Sequence, residues 1–281
     1  MPSTNYAYVN GRFVPEAEAT VSIFDRGFLY GDGVFETMRI YDKKVFHLYE
    51  HLERLFQGLK HLVIESPLSR EELRGVCYAL IERNYTWDGM VRVYVTPGTS
   101  NIGPSAPVER GATLAAVVQQ RKFSRIVLQR VIVASQRLET SLSRFKTANR
   151  LQYIIARQEV ERAHADEAIM LDHAGNVVEC SACNLFVVKQ GKIFTPPLTD
   201  GPLPGITRQV VLGLAAQLGH EVCEQSFGVE FLTDVDEMFA TNSLIEIAPI
   251  AEFAGRELDH RIAARLHKSY KDLVCEELGL R

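Results

Sequence analysis

The sequence from residue 112 to residue 134, ATLAAVVQQRKFSRIVLQRVIVA, decides how the chain is organised. Two runs within it, Ala112–Gln119 and Ile126–Ala134, are rich in β-branched and other apolar residues and predict strands. The residues between these runs are polar and basic and show no strong periodicity. We therefore predict a small N-terminal domain over 1–119, an interdomain linker over 120–125 and a C-terminal domain over 126–281.

Strand-like and helix-like segments alternate along both predicted domains. Val34–Tyr41 and Met90–Thr96 have the composition of strands, whereas leucines recur at helical spacing over 47–63. A length of 281 residues also fits two domains of roughly 150 residues each. The sequence therefore predicts a mixed α/β (α+β) fold with two domains, each a mixed sheet with helices.

Charge and composition argue against several classes of protein. The 31 Lys and Arg residues and the 35 Asp and Glu residues give a net charge of −4, whereas domains that bind nucleic acid or anionic lipid are usually basic. No apolar run approaches the ~20 residues of a membrane span, and we expect no signal peptide. The five cysteines are an odd number and predict no disulfide framework, so we expect a reducing cytoplasm.

Lys146 is the candidate nucleophile. It ends a basic loop and stands between Arg144 and Arg150, close to a helix predicted over 149–163. A neutral lysine amine is suited to Schiff-base chemistry. A solvated lysine at the start of a helix is the alternative, and the local sequence alone favours that alternative.

Two segments have the features of anion sites. In GPLPGITR, residues 201–208, two prolines and two glycines precede a predicted helix whose first N–H groups, with the Thr207 hydroxyl, are suited to a phosphate. The segment Thr241-Asn242-Ser243 follows a predicted strand and offers further donors. Ordinary helix capping and a strand-ending turn are the respective alternatives.

Glu179 ends an apolar strand and is followed by a C-x-x-C pair, Cys180 and Cys183. The pair is open to a redox or a zinc interpretation, but a zinc ion needs two further ligands and the other cysteines are isolated. Two small residues in a packed turn are the simpler interpretation, and we expect no metal site.

Seven motifs, taken in order, resemble the class IV aminotransferases, the fold-type IV enzymes that depend on pyridoxal 5′-phosphate (PLP). That family includes branched-chain aminotransferases, D-amino-acid aminotransferases and 4-amino-4-deoxychorismate lyases. Each motif is modestly specific, but together they span essentially the whole chain. The motifs are YGDGVFE at 30–36, EHLERL at 50–55, FKTANRL at 145–151, DEA at 166–168, ECSACNLF at 179–186, GITR at 205–208 and EIAP at 246–249.

The resemblance implies a role for each matching residue. Lys146 resembles the lysine that forms the Schiff base with PLP and later moves the proton. Glu179 resembles the carboxylate that pairs with the pyridine nitrogen. Arg54 resembles the arginine that binds the cofactor phosphate. The other positions that match the phosphate site are Ile206, Thr207, Asn242 and Ser243.

The substrate positions point to more than one branch of the family. Thr37 matches the lyases, and Arg92 is suited to a substrate carboxylate, with a solvated strand face as the alternative. Ile102 and Pro104 replace the charged pair of the D-amino-acid enzymes. The positions that match the substrate pocket are Tyr30, Phe35, Thr37, Arg39 and Arg92.

The resemblance implies a homodimeric PLP enzyme that moves an amino group between an amino acid and a 2-keto acid. Elimination from 4-amino-4-deoxychorismate, releasing pyruvate and 4-aminobenzoate, is the alternative within the family. More distant alternatives are a non-catalytic PLP-binding protein and a dithiol oxidoreductase that uses Cys180 and Cys183. The expected partners are amino acid and keto acid substrates, with no nucleic acid and no membrane.

Overall fold

The chain forms two compact units in a computed structural model that describes residues 5–105, 108 and 111–280. Across these ranges, no helix is both long and apolar enough to cross a membrane. The chain leaves the first unit after Phe123 and returns to it for one short segment that includes Lys146. The first unit comprises residues 1–123 and 145–149, and the second comprises residues 124–144 and 150–281.

The first unit, where the structure describes it, contains a six-stranded sheet and two long helices. Its elements are β1 (Tyr6–Val9), β2 (Arg12–Pro15), α1 (Arg26–Tyr30), β3 (Val34–Tyr41), β4 (Lys44–Val45), α2 (Leu48–His61), α3 (Arg70–Arg83), β5 (Gly89–Thr96) and β6 (Thr113–Gln120). The strands are ordered β2-β1-β6-β5-β3-β4, and neighbouring strands are antiparallel. Leu52 and Leu55 of α2 and Leu73 and Leu80 of α3 share one core with Met38 of β3. The two helices therefore cover one face of the sheet.

Strand β3 presents different residues on its two faces, because successive side chains of a strand alternate. Met38 lies in the core beneath the helices, whereas Phe35 and Thr37 lie on the opposite face. The register pairs Phe35 with Tyr94 and Thr37 with Arg92 of β5. Three of the predicted substrate residues therefore share the face that the helices leave uncovered.

The segment around Lys146 runs alongside the start of β3. The Phe35 N–H donates to the Lys146 carbonyl oxygen at 3.0 Å, and the Ala148 N–H donates to the Gly33 carbonyl oxygen at 2.8 Å. The interpretation of Lys146 as a residue at a helix start is wrong, since the next long helix begins at Leu151. The segment is extended because its backbone pairs with β3.

The second unit contains, among the residues that the structure describes, a nine-stranded sheet with helices. Its elements are β7 (Leu128–Arg137), α4 (Thr140–Ser143), α5 (Leu151–Arg162), β8 (Glu167–Leu171), β9 (Val177–Cys180), β10 (Asn184–Lys189), β11 (Lys192–Thr195), α6 (Ile206–Gln217), β12 (Val222–Glu224), β13 (Glu237–Asn242), β14 (Glu246–Phe253), β15 (Arg256–Glu257) and α7 (Arg261–Leu278). The order is β12-β11-β10-β13-β14-β7-β8-β9, with β15 beside β14. Strand β7 is parallel to β14 and β8, and β11 is parallel to β12, while the other pairs are antiparallel. The prediction of a mixed α/β fold is confirmed.

Helix α1 and strand β14 are among the elements that the sequence pattern does not predict. Helix α1 has five residues, contains Gly27 and ends at Gly31, and it depends on Asp25, whose side chain accepts a hydrogen bond from the Gly27 N–H. Strand β14 contains Pro249, a residue that is rare inside a central strand because it has no N–H to donate. Tertiary pairing with β13 and β7 nevertheless holds this segment in the sheet.

Candidate active site

Lys146 is half-buried, and its amine lies over an aromatic ring. The Lys146 Nζ atom is 4.8 Å from the centre of the Phe35 ring. The Phe35 ring in turn stacks on the Tyr94 ring, with 5.5 Å between their centres. Next to the lysine, the Phe145 ring stacks on His61 of α2 at 3.9 Å. The amine therefore lies beside the sheet face that carries the predicted substrate residues.

Arg54 is held by a carboxylate that the sequence does not single out. Glu36 of β3 is fully buried, and its two oxygens accept hydrogen bonds from Arg54 Nε at 2.7 Å and from Arg54 Nη2 at 2.8 Å. The Nδ1 atom of buried His51 lies 2.8 Å from Glu36 Oε2. We call these three residues, Glu36, His51 and Arg54, the Glu36 cluster.

The charges of the Glu36 cluster follow from its burial and its contacts. Burial alone would raise the pKa of Glu36, but the charge of Arg54 and the contact with His51 outweigh burial and hold this pKa well below its usual range. The pKa of His51 is lowered, mainly by burial and further by the positive charges of Arg54 and Lys146, although Glu36 opposes the shift. At pH 7 Glu36 is therefore an anion and His51 is neutral.

Arg92 is held in place by uncharged partners. Its Nε donates to Thr37 Oγ1 at 2.8 Å, and its Nη1 donates to the Tyr94 hydroxyl at 3.1 Å. Its guanidinium carbon is 5.4 Å from the centre of the Phe35 ring. The Phe35 ring thus contacts both Arg92 and the amine of Lys146, so two cations lie near one another on this face. Tyr94 was not predicted, although it follows Arg92 at the two-residue spacing of one strand face.

Tyr30 and Arg39 make their contacts with other parts of the first unit than Arg92 does. The Gly103 N–H donates to the Tyr30 hydroxyl at 2.7 Å, so Tyr30 anchors the loop between β5 and β6. Arg39 is buried, and its guanidinium carbon lies 4.7 Å from the Tyr41 ring centre and 3.7 Å from the Phe123 ring centre. A substrate contact for these two residues stays a prediction.

Glu179 is a buried carboxylate in the second unit that accepts hydrogen bonds from neutral donors. The Tyr153 hydroxyl donates to its Oε1 at 2.9 Å, and the Leu203 N–H donates to its Oε2 at 3.0 Å. Asn184 Nδ2 lies at 3.5 Å from Oε2. Burial, with the nearby charge of Glu179, raises the pKa of Tyr153, so the phenol stays protonated and remains a donor. Nothing in the local sequence singles out Tyr153 or Leu203.

The N-terminus of α6 is packed closely against Asn184. Gly205 caps this helix, and a Cβ atom at Gly205 would come within 2.0 Å of Asn184 Oδ1. Asn184 Nδ2 also donates to the Leu203 carbonyl oxygen at 2.9 Å. Ile206 and Thr207 are the first two residues of the helix, so both predicted phosphate residues lie in its first turn. Thr207 is also buried. The N–H groups of a first turn are suited to an anion.

The side chains of the Thr241–Ser243 segment differ in their hydrogen bonding. Asn242 Oδ1 accepts hydrogen bonds from the N–H groups of Leu244 and Ile245, at 2.8 Å and 2.9 Å. Its Nδ2 lies 3.1 Å from the Cys183 sulfur, so the amide of Asn242 stabilises a turn. Within the part of the chain that is described, the buried Thr241 hydroxyl oxygen has no hydrogen-bond partner. An unsatisfied buried hydroxyl two residues before Ser243 is a group that a bound phosphate would satisfy.

Cys180 and Cys183 are buried and have free thiols. Burial, with a further contribution from Glu167, raises the pKa of both thiols well above the usual range, so both stay protonated. A thiol in this state is a poor nucleophile and a poor metal ligand. Among the described residues, no group of three or more His, Cys, Asp or Glu side chains is placed to hold a metal ion. The packed-turn interpretation therefore fits the pair better than a redox or zinc site.

The contact between Gly205 and Asn184 can be tested with a matched pair of variants in α6. Gly205→Ala should destabilise the protein by about 1–3 kcal/mol, because the added methyl group overlaps Asn184 Oδ1. Gly213→Ala should stabilise it by up to about 1 kcal/mol, because a Cβ atom there meets no other atom within 4 Å and alanine favours a helix. Thermal unfolding measures both changes. Equal effects of the two substitutions would contradict the predicted close contact.

Comparison with known proteins identifies the family. The family model for class IV amino-transferases matches residues 33–253. A D-alanine aminotransferase of Listeria monocytogenes is 32% identical over 281 residues, and the match covers 96% of each chain. An aminodeoxychorismate lyase of Bacillus subtilis is 35% identical over 250 residues, and that match covers 87% of this chain and 85% of the lyase. The crystal structure of a branched-chain aminotransferase from Thermoproteus uzoniensis with norvaline superimposes with a TM-score of 0.91 at 33% identity, covering 99% of this chain and 96% of that one. The chain belongs to the class IV aminotransferase family.

Proposed function

We propose that this chain transfers an amino group between an amino acid and a 2-keto acid, with PLP as cofactor. The enzymes of its family use PLP. The observation that carries the proposal is the position of Lys146, whose amine lies over the Phe35 ring on the face that also holds Arg92. This places an amine beside a cation that suits a carboxylate, as a reaction of amino acids requires.

The residues present fit the cofactor. Glu179 is a buried carboxylate held by neutral donors, which suits a partner for the pyridine nitrogen. The unsatisfied Thr241 hydroxyl and the first turn of α6 offer donors to a phosphate. The side chain of Asn242 is used to hold its own turn, so in our proposal it shapes the phosphate loop and does not bind through its amide. The residues that we propose contact PLP are Lys146, Glu179, Arg54, Ile206, Thr207 and Ser243, with Asn242 shaping the phosphate loop.

In the proposed mechanism the residues have separate tasks. When bound, PLP supplies an electron sink that makes the α-proton of an amino acid acidic. Lys146 would hold the cofactor through its Nζ atom, and the same amine would take the α-proton of the substrate and return it. Glu179 would hold a proton on the pyridine nitrogen. The Phe35 ring lies beside the amine of Lys146 and is itself held by stacking on Tyr94.

Substitution of Lys146 tests the assignment. Lys146→Ala should no longer hold PLP covalently, so borohydride treatment should leave no cofactor on the chain, and turnover should fall by at least about 100-fold. Lys268→Ala is the control, because Lys268 is a surface lysine of α7 whose side chain is 82% exposed. Mass spectrometry of the treated proteins and steady-state assays with amino acids of each hand provide the measurement. Near-wild-type turnover of Lys146→Ala would contradict the mechanism.

We propose that Arg92 binds a substrate carboxylate. Thr37 and Tyr94 fix the guanidinium through neutral contacts, so its positive charge is retained for a ligand. Tyr30, Phe35 and Arg39 stay proposed substrate residues, Phe35 through its contact with both cations. A guanidinium fixed on a strand binds a carboxylate with well-defined geometry.

The kinetics of Arg92→Met test this role. The substitution should raise KM by roughly tenfold to hundredfold, the value of a hydrogen bond to a charged group, with a smaller change in kcat. Arg70→Met is the control, since Arg70 of α3 is 48% exposed and pairs with Glu53 at the surface. An unchanged KM for Arg92→Met would mean that the carboxylate binds elsewhere.

Elimination from 4-amino-4-deoxychorismate is the second candidate reaction. It is favoured by Thr37, which matches the lyases and accepts the hydrogen bond from Arg92. Amino acids that convert bound PLP to its amine form identify an aminotransferase. Release of 4-aminobenzoate without such conversion identifies the lyase, and bound PLP without any turnover identifies a binding protein.

We also propose a cytoplasmic homodimer. Free thiols on all five cysteines fit a reducing compartment. One short segment exposes four apolar side chains, with exposures of 51%, 64%, 47% and 70%, and such a patch is typical of an interface. These residues are Val21, Ile23, Phe24 and Phe28.

Sedimentation equilibrium measures the assembly directly. We expect twice the chain mass of 31.6 kDa at micromolar concentration. Phe28→Ser should shift the balance towards the monomer, because it removes the most exposed of the four apolar side chains. A wild-type protein that sediments at the mass of one chain would contradict the homodimer.

A further inference from the structure

Glu36 is a charged residue in an apolar core. It lies on the face of β3 that packs against α2, where Val34 and Met38 from the same strand face meet Leu52 and Leu55. Its side chain is 0% exposed. An ionised carboxylate in such surroundings is costly unless it is paired and hydrogen-bonded. Because a buried ion pair often contributes less to stability than apolar residues of similar size, core stability alone does not account for this one.

The geometry of the pair fixes the plane of the Arg54 guanidinium. The two bonds run in parallel, Nε to Oε1 at 2.7 Å and Nη2 to Oε2 at 2.8 Å. A planar guanidinium held at two nitrogens cannot rotate, so the direction of its remaining N–H groups is set by Glu36. His51, three residues before Arg54 on the same helix, contacts Oε2 at 2.8 Å and holds the carboxylate from the other side.

The Glu36 cluster also lies within electrostatic reach of Lys146. The positive charges of both Arg54 and Lys146 act on His51. Arg54 and Lys146 carry two positive charges against the one negative charge of Glu36, so this part of the first unit favours an anion. Arg54 is mostly buried, with 10% of its side chain exposed, so its orientation is decided by its contacts and not by solvent.

We propose that Glu36 is a positioning residue that orients Arg54 for the phosphate of PLP. The inference rests on the proposed function, which takes PLP as the cofactor and Arg54 as a phosphate ligand. Glu36 touches neither the cofactor nor the substrate, and it acts through the plane of the guanidinium. The affinity for the phosphate group therefore depends on a residue that faces the opposite side of β3 from the substrate residues.

Binding of PLP and of pyridoxal, which has no phosphate, tests the inference. Glu36→Gln keeps the shape of the side chain but removes the charge that holds Arg54. We expect its Kd for PLP to rise about tenfold or more, while its Kd for pyridoxal stays within about twofold of wild type, since only PLP uses the phosphate site. Titration of the full-length apoprotein, followed by absorbance, measures both values. A merely structural defect would weaken both ligands alike.

Three further variants sharpen the result. Glu53→Gln, on the same helix but exposed and paired with Arg70, should leave both affinities unchanged. Arg54→Met should show the same selective loss for PLP, and adding Glu36→Gln to it should weaken PLP no further, because the two residues act as one unit. If Glu36→Gln does not fold, Glu36→Asp keeps the charge but shortens the side chain, and it should also lose PLP selectively.

Several outcomes would overturn the inference. They are wild-type or tighter PLP binding by the folded Glu36 variants, equal losses for PLP and pyridoxal, and additive losses in the double variant. If the wild-type protein binds no PLP, the proposed function itself fails, and the inference fails with it. If wild-type PLP binding is normal and only the Glu36 effect is absent, the proposed function stands and the positioning role is wrong.

Discussion

Two backbone hydrogen bonds between the Lys146 segment and the start of β3 are the contacts on which the first unit's part of the site depends. They join the Lys146 carbonyl oxygen to Phe35 and the Ala148 N–H to Gly33. Gly33 is required there, because a Cβ atom would come within 2.7 Å of the Val95 carbonyl oxygen. Without this pairing the segment would be a loop remote in sequence from the sheet, and the lysine amine would have no fixed relation to the Phe35 ring.

Glu36 and Glu179 accept hydrogen bonds from different kinds of donor. Glu36 is paired with Arg54, so its charge is balanced inside the first unit and its effect is geometric. Glu179 accepts hydrogen bonds from Tyr153 and from the backbone of Leu203, which are neutral. Such donors stabilise an anion through hydrogen bonds, which supports our proposal that Glu179 pairs with a protonated ring nitrogen.

The motif order along the chain is what predicts the candidate site, through the family resemblance. Phe35, Thr37 and Arg92 are candidates on that ground, and the pairing of β3 with β5 is what brings them to one face. The Glu36 cluster could not be predicted, because it joins a strand to a helix twelve or more residues later, and nothing in the local sequence shows that both face the same core. Strand β14 was not predicted, and it contains Pro249, whose local propensity argues against a strand that tertiary pairing imposes.

Our proposal that Arg92 binds the substrate carboxylate rests on how firmly its side chain is held, compared with the loop after β5. By the resemblance, Ile102 and Pro104 stand where the D-amino-acid enzymes carry a charged pair, and Ile102 is 80% exposed. The loop is anchored through the Tyr30 hydroxyl, which already accepts the Gly103 N–H. Arg92, by contrast, lies inside a strand and is fixed at two nitrogens. Because a side chain on a strand holds its geometry better than one on a loop, this difference supports our proposal that Arg92 of β5 binds the substrate carboxylate.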